Sequence, residues 1–158
     1  MDRRAVFPLL AALTVTADGW LKRYALAHFP PDTSVQDPGL LALVVHKNFG
    51  IAFNIPMRGW VILVISIALG LALGRLAWTA RASNPAAALA ALTVIIGGIG
   101  NVIDRAWYGF TVDYLLLFGR SAFNLSDVVI IGGIVWLLSA GQDAARTEES
   151  IDKPPQKT

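Results

Sequence analysis

The chain contains no cysteine, which excludes disulfides, thiolate nucleophiles and zinc–thiolate sites together. Histidine is nearly as scarce. His28 and His46 lie outside the long apolar runs, and no HExxH-like pair exists to hold a metal. Charge is also thin, at 15% of residues, against about 25% in ordinary soluble domains. The basic residues are dispersed, with no aromatic-interleaved stripe, so nothing supports a nucleic-acid partner. What the chain has instead is apolar bulk: 55% of its 158 residues, with a mean hydropathy of +0.57. One small core cannot hide that much apolar surface. Lipid can.

Four apolar stretches stand out, at about residues 5–22, 59–78, 85–103 and 125–140. A membrane span needs about 20 residues, or about 17 at the short end. The second and third qualify outright, and Arg75 within the second can snorkel to the interface. The first and fourth qualify if Asp18 and Asp127 sit at the membrane surface. The length suits a single domain, and no internal repeat suggests two related transporter halves. The expected fold is therefore an all-α membrane protein of four transmembrane helices, spanning residues 1–140. Between the first two helices, residues 23–58 carry Pro30-Pro31 and Pro38-Gly39, which break any helix. Short apolar runs at 40–45 and 51–55 flank the turn-rich His46–Gly50 stretch, which predicts a small extracytoplasmic β-hairpin or sheet. Residues 141–158 are polar and are expected to form a disordered cytoplasmic tail.

Four spans put both termini on one side. Arg3, Arg4, Arg75, Arg81, Arg146, Lys153 and Lys157 then face Lys22, Arg23, Lys47, Arg58, Arg105 and Arg120, seven against six. Setting aside Lys22 and Arg105 as site residues leaves seven against four, with cytoplasmic termini. A second reading of the start stays open: Arg3-Arg4, a short apolar run and Val15-Thr16-Ala17 also mimic a cleavable signal peptide.

Ionisable groups in or beside spans are costly and are functional candidates by default. Asp18 and Lys22 close the first span; Asn101, Asp104 and Arg105 close the third. Asp113 lies in the connection, and Asn124 and Asp127 open the fourth. With alternating span direction all of these fall on one membrane face. Asp18 and Lys22 are spaced i,i+4 in the favourable order for a helical ion pair, and that alone would account for them. Asn101 and Asp104 share a helical face at i,i+3, as do Asn124 and Asp127. Ordinary capping would also explain the latter two, with Asn124 as N-cap and Asp127 at N3. The glycines of Gly97-Gly98-Ile99-Gly100 would serve close helix packing whatever the function.

No His or Lys is obviously placed to activate a serine. Carboxylates remain. Two neighbouring carboxyls cannot both ionise cheaply, so one keeps a proton while the other can take one from water. Such a pair can cleave amides. Asp113 and Asp127, separated by a loop and a helix start, are spaced so that their side chains can converge.

Read together, these residues resemble the signature of lipoprotein signal peptidase (signal peptidase II), over nearly all of residues 1–140. Asp18-Gly19-Trp20-Leu21-Lys22 resembles D-x-x-[ST]-K, and Asn48-Phe49-Gly50-Ile51-Ala52-Phe53 fits N-x-G-x-A-F. Residues 97–105 fit G-G-x-x-G-N-x-x-D-R, Val112-Asp113-Tyr114 fits V-x-D-[FY], and residues 123–127 resemble F-N-x-A-D. Leu21 stands where the family usually has Thr or Ser, which puts in doubt a hydroxyl contact at that position. Ser126 replaces the usual Ala, a small-for-small exchange. The resemblance implies Asp113 and Asp127 as the catalytic pair. It implies supporting or substrate-binding roles for Asp18, Lys22, Asn48, Gly100, Asn101, Asp104, Arg105 and Asn124. It further implies cleavage before the lipidated cysteine of diacylglyceryl-prolipoproteins at the outer face of a bacterial inner membrane. The expected partners are substrate and membrane lipid, with no nucleic acid, no metal or organic cofactor, and a monomeric enzyme. Two rival classes remain. A proton- or ion-coupled transporter would carry its charges near mid-bilayer, and a non-catalytic subunit would use its acids only to pair helices.

Overall fold

The structure, a computed structural model, describes residues 3–31, 39–50 and 57–152, with side chains described as far as Asp143. A 3-10 turn at Arg3–Ala5 leads into α1 (Val6–His28); α2 (Gly59–Ala80), α3 (Pro85–Tyr108) and α4 (Leu125–Asp152) follow. Among the described residues, four helical segments are long and apolar enough to cross a membrane, the last over Leu125–Asp143. Their flanks display large apolar side chains such as Leu13, Leu71, Ile131 and Leu138 outward. A helix apolar on its outer face suits lipid rather than water.

Among the described residues three short strands cover the end of the bundle: β1 (Leu41–Asn48), β2 (Thr111–Leu117) and β3 (Ser121–Phe123), in the order β1-β2-β3. The expected small sheet outside the helices is present, with one described strand of it drawn from residues 23–58. Described strand β1 pairs antiparallel with β2, from the connection between α3 and α4, with His46 opposite Asp113 and Asn48 opposite Thr111. The run at 51–55 lies outside the described residues. The connection holding Asp113 is itself a strand, not a plain loop. β2 and β3 join through Phe118, Gly119 and Arg120; Phe118 and Gly119 both take positive φ (50° and 67°), and the Arg120 amide donates back to the Leu117 carbonyl at 3.0 Å.

Two helices overrun their expected limits. α1 continues past Lys22 to His28 and stops just before Pro30, because nothing in 23–28 breaks it. Trp20, Tyr24 and His28 stack along this extension, with ring centroids 5.9 and 4.1 Å apart, an aromatic strip suited to a membrane interface. Asp18 and Lys22 consequently lie inside the helix rather than at its end. α4 continues through Gly141 to Asp152, so the polar tail does not leave the helix at 140. Its residues favour helix, and the first strong breaker is Pro154.

α3 begins with Asn84 as N-cap, its side chain accepting from the Ala87 amide at 3.0 Å, with Pro85 next. Asn84 also donates to the Ala140 carbonyl at 3.0 Å, tying the start of α3 to α4. Further along, small residues let these helices close up. A Cβ on Gly97 would stand 2.8 Å from Ile130 Cγ1 and 3.0 Å from its backbone nitrogen; one on Gly133 would stand 2.8 Å from Val94 Cγ2 and 3.0 Å from its backbone nitrogen. The helices thus approach each other through a glycine on each side. Gly98, by contrast, faces open space. This close crossing brings the first turn of α4, with Asp127, against Asn101.

Candidate active site

Asp18 and Lys22 form the expected i,i+4 ion pair at 2.8 Å, but far from the exposed interface that a simple helical pair would occupy. Their side chains are 0% and 2% exposed. Lys22 Nζ also reaches Asp104 Oδ2 at 2.8 Å and donates to Asn101 Oδ1 at 3.0 Å. An ammonium has three protons, and these contacts match them. Asp18 is equally engaged. Its Oδ1 accepts from the Tyr114 hydroxyl and the Leu125 amide, both at 2.9 Å. Its Oδ2 accepts from the Ser126 hydroxyl at 2.7 Å besides meeting Lys22. The Leu125 amide opens α4, where the helix dipole favours an anion. Buried charge is tolerable only when so fully paired.

Beside this cluster lie Asp113, on β2, and Asp127, in the first turn of α4. Three asparagines hold their four oxygens. Asn48 Nδ2 donates to Asp113 Oδ2 at 3.0 Å and Asn124 Nδ2 to Asp113 Oδ1 at 2.7 Å. Asn101 Nδ2 donates to Asp127 Oδ1 at 2.7 Å, and the Asn124 backbone amide to Asp127 Oδ2 at 3.1 Å. Each amide is locked by a second contact. Asn101 must turn its oxygen to Lys22, which only donates. Asn124 turns its oxygen to the Asp127 amide at 3.0 Å, and Asn48 turns its oxygen to the Gly50 amide at 2.9 Å. So all three present N–H to the carboxylates. The Asn124–Asp127 exchange is a reciprocal cap of the kind that starts helices, so the capping reading is correct as far as it goes. The same Asn124 then extends to Asp113, which capping does not require.

Burial pushes the Asp113 carboxyl up to about 6, with the nearby Asp127 charge adding to it and the Asn48 and Asn124 hydrogen bonds opposing. Burial and then the adjacent Asp18 charge hold the Tyr114 phenol well above its ordinary range, so it serves as a donor. Arg105 donates to the Gly50 carbonyl at 2.8 Å and the Asn101 carbonyl at 3.4 Å. Its buried Nε has no hydrogen-bond partner among the described residues. Asp104 Oδ2 accepts from the Val112 amide at 3.2 Å, fastening α3 to the start of β2.

All ten residues singled out from the sequence converge here. Gly100 does so by absence of a side chain, since a Cβ there would collide with Ser126 Oγ. Two contributors were missed as site residues. Tyr114 was legible only as part of a motif, and Ser126 only as a size-conserving departure, yet both hydroxyls go to Asp18. Leu21, the other departure, packs against the buried cluster of Ala25, Val45 and Tyr114. The polar groups gather toward the sheet-covered end of the bundle, not along a path through it.

Comparison with known proteins bears on the family and the fold. The family model described as signal peptidase (SPase) II matches residues 10–141. A lipoprotein signal peptidase of Dehalococcoides mccartyi is 34% identical over 146 residues, covering 87% of this chain and 89% of that protein. One from Syntrophomonas wolfei is 34% identical over 141 residues, covering 87% and 94%. A solved bacterial membrane enzyme shares the fold with a TM-score of 0.72 at 22% identity, covering 96% of this chain and 94% of that one. With one family model across most of its length and relatives above 30% identity, the chain belongs to the signal peptidase II family.

Proposed function

We propose that the chain is a membrane aspartyl endopeptidase that removes the signal peptide from diacylglyceryl-modified prolipoproteins, cutting before the lipidated cysteine. Asp113 and Asp127 are the catalytic pair. The observation that carries this reading is Asn124, which donates from its side chain to one carboxylate and from its backbone to the other. Two acids held that close share a proton more readily than they both ionise.

In the reaction one member of the pair takes a proton from water, whose oxygen bonds to the scissile carbonyl carbon. The other gives its proton to the carbonyl oxygen. Collapse of the tetrahedral diol then breaks the C–N bond, and the proton returns through the pair to the leaving nitrogen. The proton belongs to the pair jointly rather than to either residue. The asparagines keep four oxygens aimed while leaving lone pairs for water and substrate. Arg105, which donates to the Gly50 carbonyl beside the pair, is the residue assigned to hold the substrate backbone. β1, beside Asp113, offers backbone for pairing with an extended peptide, while the lipid tails remain in the bilayer. The termini face the cytoplasm and the site the outer side of a bacterial inner membrane, in keeping with the basic-residue count. Arg81 over the Trp78 ring, at 3.8 Å, would anchor the opposite interface.

The test is turnover of a purified lipidated precursor in detergent. Asp113→Asn and Asp127→Asn should each lose all measurable cleavage while remaining folded; near wild-type rates in both would end the aspartyl reading. A precursor lacking diacylglyceryl should be a poor substrate, and equal turnover of the two forms would remove the claim that the site reads lipid.

A further inference from the structure

Asp18 makes no described hydrogen bond to either acid of the pair, yet besides Lys22 its partners lie within two residues of those acids in the chain. Tyr114 follows Asp113; Leu125 and Ser126 precede Asp127. We infer that Ser126 and Tyr114 are positioning residues for the reaction: their hydroxyls tie α4 and β2 to different oxygens of Asp18 and thereby set the separation of Asp113 and Asp127. This rests on the reading of those two acids as the reacting pair.

The geometry favours a positioning role over mere filling of space. Ser126 is fully buried, and its hydroxyl makes a 2.7 Å bond to Asp18 Oδ2. Its Oγ occupies the volume beside Gly100 that any Cβ there would invade, and its backbone carbonyl lies against Gly97. A methyl side chain would occupy much of the same pocket without the bond. Tyr114 is 3% exposed and reaches Oδ1 of the same carboxylate at 2.9 Å. β2 is held to its neighbours by strand pairing, and α4 to α3 by glycine-mediated packing. The described polar links joining β2 to the first turn of α4 run through Asn124, through Asp18 and, by a longer route, through Asp104, Lys22 and Asn101. Asn124 fixes where each acid points. Asp18, anchored on α1 by Lys22, fixes how far apart the two supporting backbones stand. A pair that shares one proton is sensitive to that distance.

The experiment compares Ser126→Ala, Tyr114→Phe and the double variant with the full-length wild-type enzyme, using lipidated precursor. It measures kcat, KM, the pH dependence of kcat and the thermal midpoint. Each single change should lower kcat on the order of tenfold, since small misplacements of reacting groups are costly, with KM nearly unchanged. The spacing between the acidic and alkaline limbs of the kcat profile should also change, because it reports the coupling of the pair. The double variant should lose less than the product of the single losses, both acting through one carboxylate. A lowered thermal midpoint with wild-type kcat and pH profile would overturn the inference, as would fully multiplicative losses. Tyr114→Phe keeps the ring and its packing, so it decides the matter even if Ser126→Ala folds poorly. Asp113→Asn separates the two levels of argument. If it still cleaves, the catalytic reading itself fails. If it is inactive while both hydroxyl variants keep wild-type kinetics, only the positioning inference fails.

Discussion

Two polar clusters share one end of the bundle and are built on opposite principles. Around Asp18, each carboxylate oxygen meets two donors. Around Asp113 and Asp127, each oxygen accepts one hydrogen bond from the described residues. An ionised carboxylate offers about four lone-pair sites, so the first cluster is saturated and the second is half open. A saturated acid has no capacity left for a water or a substrate. What sets the pair proposed to react apart from Asp18 is thus not burial, which both clusters share, but the lone pairs left without a described donor.

The comparison is broken most severely at Lys22. Lys22→Met removes the cation that faces Asp18 and Asp104 and strips Asn101 Oδ1 of its donor. Leaving buried charge unpaired costs about 3–5 kcal/mol, so the variant should melt far below wild type in detergent. Asn101 would also be free to turn its amide away from Asp127, and activity should fall even at temperatures where the fold survives. A melting temperature within a few degrees of wild type would show that the saturated cluster is not holding the bundle.

How much of this contrast could be read beforehand depended on distance along the chain. The spans were legible because lipid demands long apolar runs, and the acids were legible because lipid punishes them. Asp18 and Lys22 are four residues apart, so their pairing could be foreseen. Asp18 and Ser126 are 108 residues apart, and a serine in a small-residue position carries no local mark of its partner. The pairing of β1 with β2 was hidden for the same reason. Apolar alternation marks a strand but does not name its neighbour, and turn-rich residues after β1 pointed to a local hairpin. The overrun of α1 is not legible from its charges, because Asp18 and Lys22 are buried within the helix, which stops just before Pro30.

A smaller effect separates the glycines that bring the clusters together from those that do not. Gly97→Ala forces a methyl against Ile130 and the Ser126 carbonyl, much of it backbone that cannot swing aside. Overpacking of this kind costs about 1–3 kcal/mol and should push α4 away from Asn101, lowering turnover together with stability. Gly98→Ala, one residue on, points into open space and should leave both unchanged or slightly improved, alanine being the better helix former. Equal effects from the two would mean that the α3–α4 crossing is not what seats Asp127.

The smallest expected effect is in pH dependence, and it probes the half-open cluster directly. Burial lifts Asp113 from 3.8 to about 6 in the folded protein. Between those values the unfolded chain has released its proton while the folded protein keeps it, so the unfolded state binds fewer protons. Stability from this group therefore falls as pH rises through that window and levels off above about 6. Asp113→Asn cannot titrate there. The difference in melting temperature, wild type minus variant, should drop by a few degrees across the window and then stay flat. In the active enzyme the two acids titrate jointly, and with burial raising Asp113 the alkaline limb of kcat/KM should lie above the ordinary carboxylate range. A melting difference that is constant or rises with pH would place the Asp113 carboxylate in surroundings as well supplied with donors as those of Asp18, and the distinction between the two clusters would disappear.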